Sequence, residues 1–312
     1  MAPLLTLFTA PKTFENPHIN IIQRNTLKNW LALGEEVAVA VVGDDPGIAE
    51  ICAEYGITHI PGVRTNQKGT PLISSIFELG RGLNDSPYLV YANADILFLP
   101  DLVTAVRQLA ETNTSFLAVG QRYDMDITDP IDFTGDWPEE LKTRIVEKGK
   151  LHGQTGSDYF IYPRGCFEDI PDFAVGRAGW DNWMLYQTRY QGWKLVDATP
   201  SITVIHQNHD YAHLPGGVIH FRQPETDVNV KLAGGRRSIF NVTDSRYLLT
   251  ENGLKRIPLT WKSFWREIEI FPLIRLHSRL LGMLSFAIFH PVLAYKEVRG
   301  WLAYKTKKNQ AR

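Results

Sequence analysis

Two polar side chains with the spacing of a ligand site follow an apolar run in the first third of the chain. Residues 88–92 are largely apolar and lead into Asn93-Ala94-Asp95, and a second apolar run follows at 96–98. A buried strand ending here would place the Asp95 carboxylate at the sheet edge where open α/β folds bind ligands. Hard oxygen ligands suit Mg²⁺ or Mn²⁺. We expect Asp95 to bind a metal that bridges two phosphates and Asn93 to contact the same donor molecule, and the alternative is a simple turn.

Alternating strand and helix patterns before residue 120 would position this pair. Apolar runs predict strands at 4–8, 37–42, 57–60, 89–92 and 116–119, and helical spacing predicts helices at 18–33, 48–55, 71–83 and 102–111. Such alternation is typical of βαβ units with right-handed crossovers. We therefore predict an α/β fold, with a Rossmann-like domain over residues 1–258 and a mostly parallel central sheet.

The middle of the chain has weaker patterns. Strands are predicted at 159–162 and 202–205, and helices at 139–148 and 181–190. The segments 124–156 and 213–237 are rich in Gly, Pro and polar residues, which predicts loops that could cover a substrate.

The residues around Asp95 resemble a known enzyme family. Lys68-Gly69-Thr70-Pro71-Leu72-Ile73, Gly82-Leu83-Asn84 and the run 88–95 are similar to the nucleotide half of GT-A-fold glycosyltransferases, in particular family-2-like enzymes. Those enzymes carry Asp-x-Asp where this chain has Asn93 and Asp95, so one charge is lost and the carboxylate that usually contacts the metal is kept. The resemblance extends over roughly residues 4–210. It implies a transferase that binds a nucleotide sugar together with Mn²⁺ or Mg²⁺.

The resemblance also implies residues that contact the nucleotide. An acidic residue after the second strand often binds the base in such folds, and Asp44 and Asp45 occupy that position. A carboxylate can accept the imide N–H of uracil or thymine, although capping of the next helix is an alternative role. Thr9, at the end of the first strand, is a further expected donor contact. Arg64 and Lys68 could meet phosphate, with a solvated loop as their alternative.

A loop leads into a predicted helix at Gly176-Arg177-Ala178-Gly179-Trp180-Asp181-Asn182-Trp183-Met184. Enzymes of the resembled fold that invert the anomeric carbon use a carboxylate at a helix start in this region as general base. We assign this role to Asp181, because a loop–helix junction can reach an acceptor hydroxyl. Trp180 and Trp183 could offer flat faces to an acceptor sugar. The alternative is an N-cap aspartate followed by core tryptophans.

Three histidines occur within eight residues after the predicted strand at 202–205. In many enzymes of the resembled fold, a histidine late in the domain completes the metal site, and imidazole is acceptable to Mn²⁺ as one ligand among oxygens. We expect His206 or His209 to join Asp95 as a metal ligand, and the pattern does not decide between them. A zinc site built by these histidines alone is the alternative.

A polar group also precedes the strand predicted at 159–162. If that strand runs antiparallel to its neighbours, Asp158 lies on the ligand side of the sheet, at the opposite end of the strand from Arg164. Asp158 could then bind acceptor or donor hydroxyls, and capping of a turn is an equal alternative.

Composition excludes several classes of protein. The chain has 312 residues, 44% of them hydrophobic, and a net charge of -1. The content of apolar residues predicts a folded protein, and the charge argues against a general nucleic-acid binder. The only two cysteines, Cys52 and Cys166, lack metal spacing and fit a reducing compartment. The first residues are predicted to form a strand and not a signal peptide.

The C-terminal extension, residues 259–312, has a different character. From residue 261 onward there are ten Lys or Arg and three Asp or Glu residues. Residues 264–304 have a helical pattern with an apolar stretch at 280–289, interrupted by His290-Pro291, which is short for a transmembrane helix. Two interpretations stay open: helices packed on the domain or a partner, or interfacial helices on an anionic membrane.

These features together predict a metal-dependent, inverting glycosyltransferase of the hexosyltransferase type. The donor would be a UDP-, GDP- or dTDP-sugar, the acceptor a glycan or a lipid-linked glycan, and the location cytoplasmic, with peripheral contact to the inner face of a membrane left open. The alternatives are a non-catalytic nucleotide-sugar-binding protein and a sugar-1-phosphate nucleotidyltransferase. The latter usually has a Gly-rich signature after strand one, where this chain has Thr9-Ala10-Pro11-Lys12-Thr13.

Overall fold

The computed structural model describes residues 2–209 and 224–299. The chain divides into two compact units, the first formed by Met1–Thr188 and Trp193–Ile257, and the second by Arg189–Gly192 and Pro258–Arg312. The predicted division after residue 258 does not include the short segment 189–192, which belongs with the second unit.

Strands and helices alternate through most of the first unit. In chain order they are β1 (Leu5–Thr9), α1 (Pro17–Leu31), β2 (Val37–Val42), α2 (Ile48–Tyr55), β3 (Thr58–Ile60), α3 (Ile73–Gly82), β4 (Tyr88–Ala92), β5 (Ile96–Phe98), α4 (Asp101–Ala110), β6 (Phe116–Val119), β7 (Tyr123–Met125), α5 (Trp137–Lys148), β8 (Lys150–Leu151), β9 (Tyr159–Pro163), α6 (Trp180–Tyr190), β10 (Lys194–Asp197), β11 (Val204–Gln207), α7 (Pro224–Leu232), β12 (Tyr247–Thr250) and β13 (Gly253–Arg256). The last two residues of α6 are counted in the second unit.

Nine of these strands form one large sheet in the order β13-β12-β10-β6-β9-β4-β1-β2-β3. The pairs β1–β2, β1–β4, β2–β3, β6–β10 and β10–β12 are parallel, whereas β9 runs antiparallel to β4 and β6, and β13 antiparallel to β12. The predicted α/β fold with a mostly parallel central sheet is therefore confirmed. The carboxyl ends of the parallel strands meet at one edge, which we call the carboxyl edge.

A smaller sheet with the order β5-β11-β7-β8 lies beside the turn that follows β4. β11 runs antiparallel to β5 and parallel to β7. The prediction of a loop over residues 124–156 is wrong at β7 and β8, whereas the helix predicted within this segment at 139–148 is present as α5. Strands of two or three residues are too short to show a hydrophobic period, which explains the error.

Every strand and helix predicted for the first unit is present and lies within two residues of its predicted bounds. β5, β10, β12 and β13 were not predicted as strands, and β11 begins at Val204, two residues after the predicted start. The predicted loop at 213–237 contains α7, and its residues 213–223 lie outside the described part of the chain.

The core of the first unit is packed between the large sheet and its helices. α1 begins at Pro17 and is capped by Asn16, whose side chain accepts hydrogen bonds from the backbone N–H groups of His18 and Ile19. Its buried face includes Trp30, whose ring N–H donates to the carbonyl of Ile96 at 2.9 Å. Fully burying a large apolar side chain stabilises a fold by about 1.5–3 kcal/mol. This packing holds the segment around Asp95 against α1.

The second unit contains α8 (Trp261–Ile274), α9 (Arg279–Phe289) and helical residues 291–299. α8 begins with a capping box, in which the side chains of Thr260 and Ser263 each accept from the other's backbone N–H. No helix within the described residues has both the length and the apolar character needed to span a membrane.

Candidate functional site

Asp95 lies in the short turn between β4 and β5, at the carboxyl edge of the large sheet. The backbone N–H of Ile96 donates to the Asn93 carbonyl at 3.2 Å, which closes the turn. On the other side, the N–H of Gln207 donates to the Asp95 carbonyl at 3.0 Å. The backbone at Asp95 is thus held from both sides, and its carboxylate has a defined position.

Asp95, His206 and His209 form a compact cluster of ligand atoms. One oxygen of Asp95, Oδ2, lies 3.0 Å from His209 Nε2 and 3.8 Å from His206 Nε2. One ligand atom from each of the three residues lies within 4.8 Å of those of the other two. This geometry allows all three side chains to bind one metal ion.

The register of the small sheet explains why His206 reaches this position. His206 is opposite Ile96 across the antiparallel pair β5–β11, and opposite Asp124 across the parallel pair β7–β11. The next residue, Gln207, is fully buried, and its side-chain amide donates to the Ile22 carbonyl and to Thr26 Oγ1, both at 3.0 Å. Because Gln207 anchors β11 to α1, the histidines on either side of it are fixed relative to Asp95.

Two buried polar atoms of the cluster have no hydrogen-bond partner among the described residues. They are Asp95 Oδ1 and His206 Nδ1, and the second lies 3.3 Å from Asp124 Oδ1. A buried polar atom without a partner costs about 1–3 kcal/mol, so such atoms indicate a ligand or a functional strain. A divalent cation would satisfy Asp95, and the nearby Asp124 carboxylate would favour a proton on His206 Nδ1, which leaves Nε2 free to bind the ion.

The ionisation states suit a metal site. Burial raises the pKa of Asp95, but the hydrogen bond from His209 and the charges of His206, His209 and Lys12 outweigh it and hold this pKa well below its usual range. Burial lowers the pKa of His206, against the opposing effect of Asp95. Asp95 is therefore ionised near pH 7, and the lowered pKa of His206 favours the neutral imidazole that binds metals.

A second layer of charged groups surrounds the cluster. Arg122 donates to Asp124 Oδ1 at 3.0 Å and to Asp158 Oδ2, so one guanidinium joins two carboxylates. Asp124 Oδ2 also lies 2.7 Å from His152 Nδ1. Asp158 Oδ1 accepts from the side-chain amide of Asn93 at 3.0 Å. The network runs from Asn93 to Asp124 and ends against His206, so it can orient the His206 ring.

The structure brings together five of the predicted site residues. They are Asn93, Asp95, Asp158, His206 and His209. Antiparallel β9 places Asp158 at the carboxyl edge, because Tyr159 pairs with Ala92. Both carboxylate oxygens of Asp158 already accept hydrogen bonds within the protein, so it holds Asn93 and Arg122, and its binding of an acceptor stays a prediction.

Three residues of the network were missed from the sequence. Arg122, Asp124 and His152 lie in or next to the short strands β7 and β8. Their only sequence signal is a charged pair, Arg122 and Asp124, directly after the predicted strand at 116–119. Their proximity to His206 comes from strand register, which a single sequence does not reveal.

Trp180 and Trp183 are core residues. Each is only 6% exposed. Trp180 packs against Tyr91 and Phe160 with ring centroids 5.4 and 5.0 Å away, and Trp183 packs against Phe173 at 5.3 Å. The prediction that these rings offer flat faces to an acceptor sugar does not fit this burial, and the core alternative replaces it.

Asp181 lies in the first turn of α6, as predicted. The Gly179 N–H donates to its Oδ1 at 3.1 Å, and the side chain is half-buried. The preceding residue, Trp180, contacts Tyr91 near the carboxyl end of β4. The start of α6 is therefore at the same edge of the sheet as Asp95. A helix N-terminus stabilises the carboxylate form and lowers its basicity.

Asp44 and Asp45 lie on the loop that follows β2 and are exposed. Asp44 accepts hydrogen bonds from the backbone N–H groups of Gly62 and Val63, at 2.8 and 2.9 Å for the shorter contacts. Burial and the neighbouring Asp44 raise the pKa of Asp45. Asp44 thus joins the loops after β2 and β3, and its binding of a nucleobase stays a prediction.

The other residues predicted to contact the donor molecule, Arg64, Lys68 and Thr9, differ in how exposed they are. Arg64 forms an exposed ion pair with Glu78 at 3.0 Å, and Lys68 is an exposed residue of the turn at 66–70. Thr9 ends β1 but is fully buried, which does not fit a direct contact with the donor.

Glu225 connects α7 to two loops of the first unit and was not predicted. Its Oε1 accepts from Asn66 and Thr70 at 2.6 and 2.8 Å, and its Oε2 pairs with the Arg177 guanidinium at 3.0 Å. Burial raises the pKa of Glu225, but these hydrogen bonds and the charge of Arg177 outweigh it and lower the pKa. The turn that carries Lys68 and the loop that leads to Asp181 are therefore held by one buried carboxylate.

No family model matches the sequence, and no curated protein matches it. Solved structures to which the chain is similar include the mannosyltransferase PcManGT from Pyrobaculum calidifontis in complex with GDP-Man and Mn²⁺, with 15% identity, a TM-score of 0.42 and coverage of 68% of this chain and 59% of that one. They also include S. aureus TarS 1-349, with 12% identity, a TM-score of 0.39 and coverage of 67% and 58%. The chain thus spans less than two thirds of the length of either.

Proposed function

We propose that this protein transfers a sugar from a nucleotide-diphosphate sugar to an acceptor hydroxyl. The observation that carries the proposal is the cluster of Asp95, His206 and His209 at the carboxyl edge of a mostly parallel sheet. Ligands of open α/β sheets bind at this edge. The resemblance of residues 68–95 to the nucleotide half of GT-A-fold glycosyltransferases supports the same function.

The donor set favours Mn²⁺ over Mg²⁺. One carboxylate and two imidazoles provide one oxygen and two nitrogen ligands. Mg²⁺ prefers oxygen ligands throughout and keeps several waters, whereas imidazole is acceptable to Mn²⁺. When bound there, the ion would neutralise charge on the departing nucleoside diphosphate. Asp95, His206 and His209 would hold it, and Asp124 and Arg122 would orient His206.

Asp181 is the proposed general base. It would take the proton of the acceptor hydroxyl as that oxygen attacks the anomeric carbon, which predicts inversion of configuration. Its support is its place at the start of α6, on the same edge as Asp95. Asp44 would contact the base from the loop after β2, which lies two strands, or about 10 Å, from β4.

The surface of the Lys12 side chain is exposed, but the surrounding protein desolvates its ammonium group and lowers its pKa, against the opposing charge of Asp95. Its charge acts on Asp95 and contributes to the low pKa of that carboxyl. Lys12 follows β1, the strand next to β4 at the carboxyl edge. We propose that it contacts the diphosphate of the donor.

The first test is a screen of nucleotide sugars with and without Mn²⁺, in which release of UDP, GDP or dTDP is measured. We expect release from one donor by the wild type and a decrease of about a thousandfold or more in Asp95→Ala, because the ion supplies several kcal/mol of charge stabilisation. Asp85→Ala is the matched control, since Asp85 is exposed and precedes β4 at the opposite sheet edge. Absence of binding and release for every donor would refute the proposal.

The second test separates binding from proton transfer. Asp181→Asn is expected to lower the turnover number by about 10²–10⁴-fold and to leave donor affinity nearly unchanged. Nuclear magnetic resonance of the product measures its anomeric configuration. Retention of configuration, or full turnover by Asp181→Asn, would contradict the role of Asp181.

A further inference from the structure

α8 carries apolar residues on two faces. Ile270, Leu273 and Ile274 are buried, as expected for a packed helix. A second set lies at i, i+3, i+4, i+7 and i+10, and each member is at least 40% exposed: Trp261, Phe264, Trp265, Ile268 and Phe271. This spacing places the second set along one stripe of the helix. α8 therefore presents a row of large apolar side chains to the outside.

α9 repeats this arrangement. Gly282 and Phe286 are buried, whereas Leu280, Leu284 and Ile288 are 68%, 55% and 77% exposed. The ring of Trp265 lies 6.3 Å from that of Phe289, so the exposed stripe of α8 continues onto the end of α9. We call the exposed apolar residues of α8 and α9 the outer apolar surface. Soluble proteins seldom expose large apolar residues at this density unless the surface binds something.

The two helices are held together from within. Gly282 approaches α8 closely, since an added Cβ would lie 3.1 Å from Leu273 Cβ. The buried Glu269 carboxylate binds Arg266 at 2.9 Å and lies 3.0 Å from His290 Nε2, and Ser285 Oγ donates to the Glu269 carbonyl at 2.6 Å. The outer apolar surface is thus built on a fixed helical hairpin.

The charges of this unit have one predominant sign. Five basic residues of the same unit are exposed: Lys262, Arg275, Arg279, Lys296 and Arg299. Two of the three acidic residues after position 260 bind within the unit: Glu267 pairs with Arg189 at 2.8 Å, and Glu269 pairs with Arg266. Four more basic residues follow residue 299 in the sequence, and no acidic residue does. A partner for this surface must therefore accept apolar side chains and carry negative charge.

We propose that the outer apolar surface binds an anionic lipid bilayer, with α8 and α9 lying in its interface. Apolar insertion together with attraction of Lys and Arg to anionic headgroups is how interfacial helices bind membranes. Trp261, Phe264 and Trp265 form a mutual ring cluster with centroids 5.6–6.0 Å apart, and aromatic rings of this kind favour the headgroup region. With eleven residues, α9 is about 16 Å long, roughly half the hydrocarbon thickness, which suits an orientation along the surface. The proposal does not depend on glycosyl transfer.

The test is flotation of the full chain with vesicles of phosphatidylcholine alone or mixed with phosphatidylglycerol. We expect binding to the mixed vesicles, weakened by added salt. The double variant Leu280→Ser with Ile288→Ser should bind at least about tenfold more weakly, because apolar burial is lost. Arg275→Glu with Arg279→Glu should also lose about tenfold or more, and only on the mixed vesicles.

Matched controls lie on α5 of the first unit. Val146 is 86% exposed and Arg144 is exposed, so Val146→Ser and Arg144→Glu make the same chemical changes elsewhere and should leave vesicle binding unchanged. Circular dichroism of each variant verifies that it is folded. Equal binding by the wild type and the double serine variant would overturn the proposal. A second result would also overturn it: the wild type binds neither kind of vesicle but self-associates, and the same substitutions abolish that self-association. The surface would then join two copies of the chain.

Discussion

Two regions of this protein depart from the usual distribution of side chains, and they do so in opposite directions. The first unit buries ionisable groups around Asp95 and His206, whereas the second unit exposes large apolar ones such as Trp261 and Ile288. Buried charge is costly unless it is paired, and exposed apolar surface is costly unless it is covered. The first region pairs most of its charges internally, and the second leaves its apolar residues uncovered. The comparison suggests a small ion as partner for the first and an extended surface for the second.

The two regions also differ in how they are built. The groups around Asp95 come from β4, β7, β9 and β11, which are distant in sequence, and strand register brings them together. The outer apolar surface comes from consecutive residues of two neighbouring helices. A buried polar cluster therefore depends on long-range order, whereas an exposed helical stripe depends on local spacing.

The largest expected effect on stability is at Arg122. Arg122→Ala removes the partner of two largely buried carboxylates, Asp124 and Asp158, and should destabilise the protein by about 3–5 kcal/mol. Urea denaturation measures this change. Arg144→Ala, on the exposed face of α5, should change stability by less than about 0.5 kcal/mol. Equal stability of the two variants would contradict the inference that Arg122 stabilises the protein by pairing with Asp124 and Asp158.

Glu225 allows a pH test of whether paired, buried carboxylates stabilise the first unit. Its lowered pKa means that the ionised carboxylate stabilises the fold above the unfolded value of about 4.3, and that this stability is lost as the pH falls through the folded pKa. Glu225→Gln should cost about 3 kcal/mol at pH 7 and should flatten the loss of stability in acid. Denaturation measured from pH 7 to pH 3 tests both parts, with the exposed Glu140→Gln as control. An unchanged acid profile would contradict the prediction.

Metal binding should raise the stability of the first unit. At a free Mn²⁺ concentration a hundred times the dissociation constant, stabilisation of about 2.7 kcal/mol is expected. His209→Gln should abolish most of it, because a ligand of the cluster is lost. Thermal unfolding with Mn²⁺, Mg²⁺ or chelator measures the effect. Equal stabilisation of the wild type and His209→Gln would place the ion elsewhere.

The smallest effect on stability is expected for a substitution on the outer apolar surface. Ile288→Ser should alter stability by less than about 0.5 kcal/mol, because this side chain is 77% exposed. Phe286→Ala, two residues earlier and buried, should cost about 3 kcal/mol. Chemical denaturation of both variants in the absence of lipid makes the comparison. A large loss for Ile288→Ser would mean that the residue is covered within the protein.

The strands that the sequence failed to predict lie mostly in the later part of the chain, and there is a physical reason for this. β1, β2, β4 and β6 are buried on both faces, so their sequences are continuous apolar runs that identify strands directly. β7 and β8 have two or three residues and carry charged side chains, so local pattern predicted a loop. Trp180 and Trp183 were misassigned because a tryptophan in a core and one on a binding surface have the same local sequence.

The amino-acid sequence by itself determined the α/β class, the position of Asp95 after a buried strand, the helical character of residues 264–299 and the basic composition of the C-terminal extension. These properties follow from hydrophobic period and composition, which are local. Only the tertiary structure decided that both His206 and His209 approach Asp95 and that Asp124 and Arg122 support them. It also decided which apolar residues of α8 and α9 are covered. Register and packing join residues that are far apart in the chain, and no local pattern records those contacts.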